Sequence, residues 1–216
     1  MMSIMERERR WRFSHIVNAK SHSACMRSGI SVAYAKEVVM ISRQDVLTLT
    51  GFSASAFNSL AHREMLPFSS GPSAQHGRYT EEQVVRLCLF KALTAAGLPQ
   101  AQATDTLRMG FWPIQTFLAR EPQPARADVL LGAINSEAES AGASAWRPAV
   151  GLWTPTKCLV HAVVADGVER VAHGPTAVVF TNASQAMTHL YARAYRRSRS
   201  GGDLAEWAKL FRAVLP

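Results

Sequence analysis

Between Ile41 and Leu107 the apolar positions come in short bursts, separated by polar, glycine or proline punctuation. Val46, Leu47 and Leu49 make a first stripe, bounded by Ser42 upstream and Gly51 downstream. Ser42 can accept from the open N–H groups of a helix start, and Asp45 suits the positive end of the helix dipole. Gly51 can take the positive φ that ends such a helix. Ser53 opens a second pattern, with Phe57 and Leu60 facing inward and Ser55, Asn58, Ser59 and His62 facing outward. The spacing predicts two short helices joined at a glycine turn.

After Met65-Leu66-Pro67, the stretch from Phe68 to Gly77 is turn chemistry throughout, and Arg78 and Tyr79 stand where a hairpin would return. Thr80-Glu-Glu-Gln83 is a capping box that starts a third helix with Val84, Leu87, Cys88, Phe90 and Leu93 as its apolar positions. Gly97 ends it, and Pro99 fits the first turn of a further short helix. A helix pair, a hairpin and a capped third helix in this order predict a winged helix-turn-helix over residues 40–108.

Beyond Leu107 the pattern weakens. Gly110 and Pro113 are expected to break any helix within a few residues. Residues 109–150 read as a linker with one short helix, Ala127 to Glu139, carrying Val129, Leu130, Leu131 and Ile134. Residues 151–216 are more regular. Cys158 to Val164 and Ala177 to Phe180 are β-rich, and Val168 to Ala172 lies between the turn pairs Asp166-Gly167 and Gly174-Pro175. Asn182-Ala-Ser-Gln185 caps a helix reaching about Arg199, and Asp203 and Glu206 open a last helix with Leu204, Trp207, Phe211 and Leu215 on one face. That face is either core or a contact with a second copy. The expected fold class is α+β: the winged helix, then a small C-terminal α/β regulatory or assembly domain with a short antiparallel sheet.

Composition adds direction. A formal net charge of +8 favours a polyanionic partner. Three scattered cysteines form neither a disulfide framework nor a zinc knuckle, which fits reduced thiols in a cytoplasm. No apolar run approaches the roughly 20 residues of a membrane span, and Arg7 to Arg12 is not followed by the apolar stretch of a signal peptide. Residues 1–39 lack a sustained period. They are expected to be a disordered or over-called extension, with translation starting at Met40, or else a basic arm that follows a DNA backbone.

Small polar side chains on an exposed helix suit phosphates and base edges, and an arginine at a hairpin base can reach a phosphate or a minor groove. The residues expected to contact DNA are Arg43, Ser53, Ser55, Asn58, Ser59, His62, Arg63, His76, Arg78 and Tyr79. Arg193, Arg196, Arg197 and Arg199 make a further basic group, read either as a solvated helix end or as a second phosphate-contacting patch. Cys158, His161, Asp166, His173 and Ser184 include the residue types of a nucleophile triad or metal site, but stand in no catalytic motif. Neither an enzyme nor a cofactor is expected.

Residues 41–107 resemble the MerR-like winged-helix family. The likeness runs through Thr50-Gly51-Phe52-Ser53, Met65-Leu66-Pro67, Arg78-Tyr79-Thr80 and the Leu93 to Leu98 ending. It implies DNA binding through the helix after Ser53 and the wing around Arg78. Asn58-Ser59-Leu60 replaces the basic and aromatic cluster usual in the family, and the expected break at Gly110 and Pro113 leaves no long helix for the family's coiled-coil dimer. The function expected is a bacterial or phage-derived transcription regulator, with a homodimer through the C-terminal part. The alternative is an excisionase-like or packaging factor of a mobile element.

Overall fold

The computed structural model describes residues 40–69, 77–120, 127–135, 146–165, 167–171, 177–198 and 204–213. All lie within one compact unit, Val38–Pro216. Strand β1 (Ile41–Ser42) pairs antiparallel with β2 (Arg78–Tyr79), setting Ile41 opposite Tyr79 and Ser42 opposite Arg78. Helix α1 (Arg43–Thr50) starts as its caps dictate: Ser42 Oγ accepts from the Asp45 N–H at 3.2 Å. It ends at Gly51, whose φ of 69° lets its N–H reach Leu47 O at 2.8 Å. Helix α2 (Ala54–His62) is capped by Ser53, which accepts from the Ala56 N–H at 3.2 Å. The capping box of α3 (Glu81–Ala95) is complete, with Gln83 N–H to Thr80 Oγ1 at 3.3 Å and Thr80 N–H to Gln83 Oε1 at 2.9 Å.

The next helix, α4 (Gln100–Arg120), overturns an expectation: it runs straight through Gly110 and Pro113. A side chain at position 110 would collide with the ring of Pro148, so glycine here admits a neighbouring strand rather than ending the helix. Proline at 113 removes the N–H that would bond the Met109 carbonyl. Met109 is 59 % exposed, so this turn lies on the solvent side of the helix. A long helix therefore does follow the third helix, but Leu107, Phe111, Ile114 and Leu118 bury its face in the core.

Within the stretch read as a helix at Ala127 to Glu139, Asp128–Asn135 is instead strand β3 and residues 136–139 lie outside the described residues; the expected linker also contains most of β4 (Trp146–Thr154). With β5 (Lys157–Val164), β6 (Gly167–Arg170) and β7 (Ala177–Asn182) they form a five-stranded antiparallel sheet in the order β6-β5-β4-β3-β7. β3 lies inside the sheet. Val129, Leu131 and Ala133 join the core cluster with the helices, whereas Ile134, Ala149 and Ala162 form a second cluster with Phe180 and Val160. A strand buried on both sides reads as an unbroken apolar run, which period alone cannot separate from a helix. Gly132 belongs to that strand: a Cβ there would strike the Val179 carbonyl oxygen of β7.

Helix α5 (Ala183–Ser198) leaves β7 directly, capped by Asn182, whose Oδ1 accepts from the Gln185 N–H at 2.8 Å. In the buried side chain of Ser184, Oγ accepts from the Val129 N–H at 2.8 Å and donates to Phe211 O at 2.6 Å, tying α5 to β3 and to the end of α6 (Leu204–Leu210). Trp207 and Phe211 lie 5.6 Å and 6.3 Å from the Phe111 ring of α4. Of the terminal apolar stripe, Leu204 and Phe211 are buried in the core and Trp207 is half-buried against it, while Leu215 lies outside the described residues. No helix among the described residues is long and apolar enough to cross a membrane.

Candidate nucleic-acid interface

The first two helices place their polar residues according to the caps just described. Phe57 turns inward and meets Tyr79 edge-on at 5.7 Å, while Tyr79 meets Phe68 at 6.3 Å. That aromatic trio joins α2 to β2 and orients the opposite side of α2. Ser55, Asn58, Ser59 and His62 are all exposed there, and Arg63 follows at the C-cap. Ser53 is exposed too, but its hydroxyl is engaged as the cap and lies 3.2 Å from that of Ser55.

Arg43 connects the two helices. Its Nη2 donates to Asn58 Oδ1 at 2.6 Å, its guanidinium lies 5.6 Å from the Phe57 ring centroid, and its backbone N–H reaches Gly77 O at 3.0 Å. Arg78 is exposed and stands opposite Ser42 across the β1–β2 ladder. The ladder therefore brings the start of α1 and the segment leading into α3 together. Tyr79 departs from the expectation that it faces a ligand: it is 4 % exposed and packs as a core ring. Burial pushes its hydroxyl above the usual phenol range, partly opposed by the Arg43 charge. His76 lies outside the described residues.

Several supporting residues carried no local signal, because their partners are far away in the chain. Glu64 turns the chain after α2 with a φ of 56°. Its carbonyl accepts from Arg108 Nη2 at 2.7 Å, while Arg108 Nε reaches Leu66 O at 2.9 Å and Thr104 Oγ1 reaches Met65 O at 2.9 Å. Helix α4 thus clamps the segment leaving α2. At the other end, Lys91 of α3 donates to Gly51 O at 2.5 Å and Thr50 O at 3.3 Å, satisfying carbonyls at the end of α1. Arg197 of α5 pairs with Asp45 of α1 at 2.5 Å.

Of the residues with nucleophile or metal-ligand chemistry, the three that are described, Cys158, His161 and Ser184, are engaged separately. Ser184 is spent on the two structural bonds above, Cys158 is exposed on β5, and His161 packs 4.7 Å from the Phe117 ring. Asp166 and His173 lie outside the described residues. Among the described residues no cluster of His, Cys, Asp and Glu could hold a metal ion. A cavity of about 450 Å³ opens between the end of α4 and the β5–β6 turn, lined by Trp112, Phe117, Arg120 and Val168 among others, and none of the α1–α2 residues borders it. No family model, curated protein or solved structure matches the chain.

Proposed function

We propose that this chain is a DNA-binding transcription regulator of bacterial or phage origin, with α1 and α2 as a helix-turn-helix and the β1–β2 ladder as the base of a wing. The reading rests on one observation above the rest. The exposed side of α2 carries only small side chains and His62, and one of them, Asn58, is braced by Arg43 rather than left to rotate freely. A braced amide on an uncluttered helix face can approach a base edge in a major groove, where bulky residues would be excluded. Arg78, exposed beside the start of α1, adds a phosphate contact, and the formal net charge of +8 favours approach to a polyanion.

Selection from a randomised duplex pool, followed by anisotropy titration of the selected and a scrambled duplex, tests this reading. A selected site bound at least tenfold more tightly than the scrambled one is expected. Equal, salt-insensitive affinity for both would refute it. Genome-wide mapping of bound sites should find promoters; recombination or packaging sites would instead favour the mobile-element alternative.

A further inference from the structure

Helix α5 carries no Asp or Glu at any of its 16 positions, and three of its last residues are Arg193, Arg196 and Arg197. Spaced i, i+3 and i+4, they occupy neighbouring places on the helix surface, where like charges repel one another. The negative end of the helix dipole offsets this only within the final turn, which holds Arg196 and Arg197 but not Arg193. No carboxylate among the described residues pairs with Arg193 or Arg196; both hold their guanidinium Nε on α5's own carbonyls, His189 O and Ala192 O, each at 3.2 Å.

The row borders the helix pair. A Cβ built on Gly51 would lie 3.3 Å from Arg193 Nη1 and 3.0 Å from Lys91 Nζ, so both cations flank the turn that leads into α2. Further along, Arg197 reaches Asp45 in the first turn of α1. That pair is about half exposed, and exposed pairs of this kind contribute little and open readily to a competing anion. Arg193 and Lys91 at the end of α1, and the exposed Arg196 beside the neutralised Arg197 on α5, leave a strip of positive charge bordering α1.

We propose that the DNA-contacting surface continues from the α1–α2 turn onto α5, where Arg193, Arg196 and Arg197 take backbone phosphates. This inference rests on the reading of α1 and α2 as DNA-binding. The arginine fork matches phosphate oxygens, and four residues, about 6 Å of helix rise, separate the two ends of the row, so long side chains can engage neighbouring phosphates. Such contacts carry no sequence information; they fix the orientation of the protein on the duplex. Asp45, by neutralising Arg197, tunes the strip downward.

The experiment is a salt titration of the full chain and of the R193Q/R196Q/R197Q variant on the selected and the scrambled duplex, with a thermal melt to check folding. Each phosphate contact contributes about 0.9 to the slope of log affinity against log salt. The slope should fall by between one and about three, with at least tenfold weaker binding to both duplexes at 100 mM salt. Asp45→Asn should tighten binding to both and steepen the slope. If the triple variant does not fold, Arg196→Gln alone, with no carboxylate to lose, should lower the slope by about one. A folded variant with an unchanged slope, beside a wild-type chain that binds with a clear slope, overturns the α5 contact and leaves the α1–α2 reading intact. Loss confined to polyglutamate binding would overturn it in favour of an acidic protein partner. A wild-type chain with no salt-dependent duplex binding sinks both readings together.

Discussion

Arg43 Nη2 donates to Asn58 Oδ1 at 2.6 Å, joining the first residue of α1 to the outward side of α2. One lone pair of the Asn58 carbonyl is thereby occupied, and the amide NH₂ is the end left to the surroundings. In a major groove this favours acceptor edges, such as purine N7, guanine O6 or thymine O4, over the two-bond contact that reads adenine. The prediction is that Asn58→Ala relaxes preference at one base pair, costing about 1–3 kcal/mol on the selected duplex and little on the scrambled one. Arg43→Ala should shift the preference at that position toward adenine. Selection experiments with both variants that return the wild-type site unchanged would count against Asn58 as a reader.

Arg78 stands exposed on β2, opposite Ser42 on the ladder. Arg78→Ala is expected to weaken binding to all duplexes by a similar factor and to lower the salt slope by about one. A loss confined to one sequence would make it a base contact instead.

Ser184 offers a stability test independent of function. Its hydroxyl serves the Val129 N–H and the Phe211 carbonyl in a buried setting, so Ser184→Ala strands one donor and one acceptor. A cost of about 1–3 kcal/mol per stranded group is the usual range. Urea unfolding should show a clear drop in midpoint with an unchanged slope; a shift below about 0.5 kcal/mol would mean that other groups take over both bonds.

Cys88 makes a prediction about alkaline pH. Burial pushes its thiol from 9.0 up to about 11, with the Arg193 and Lys91 charges partly opposing the rise. The neutral thiol is therefore favoured by folding. Its contribution is fully present below about pH 9 and is lost as pH climbs from there to about 11. The difference in unfolding free energy between the wild-type chain and Cys88→Ala should shrink across that window and stay flat from pH 6 to 8. At pH 8 a thiol reagent should modify the exposed Cys158 rapidly and reach Cys88 only when the core opens. Rapid modification of Cys88 in a Cys25→Ser, Cys158→Ser background would contradict this.

The first half of the chain was legible because its signals are local. Ser42, Ser53, Thr80 and Gly51 act on groups within four residues of themselves, so their roles survive without knowledge of the rest of the fold. Gly110 and Pro113 misled for the opposite reason, and Gly132 gave no signal at all. Their meaning lies in what approaches them, Pro148 for Gly110 and the Val179 carbonyl for Gly132, and no window of sequence contains those partners. Tyr79 shows the same limit within the candidate site: that its ring can pack was legible, but nothing near it in sequence names Phe57 and Phe68 as the rings that enclose it. Nor did anything local connect Arg197 to Asp45, which meet only after α5 has crossed back to α1.

Helix α3 has apolar residues on every side: Val84, Val85, Leu87, Cys88, Leu89, Phe90 and Leu93 are all buried. A helix of that kind needs neighbours all round it. The paired helices supply some of them; α5, β3 and β7 supply the others, and Cys88 Sγ even reaches the Ala186 carbonyl of α5 at 3.6 Å. The paired helices and the sheet are therefore not interchangeable parts. Grafting residues 40–108 onto another scaffold would carry an oily flank into water, and a recombination event that swapped the sheet for an unrelated domain would be punished by aggregation before any question of DNA binding arose. Change in this lineage is expected to proceed by substitution on the outer side of α2 and along α5, with the two halves inherited together.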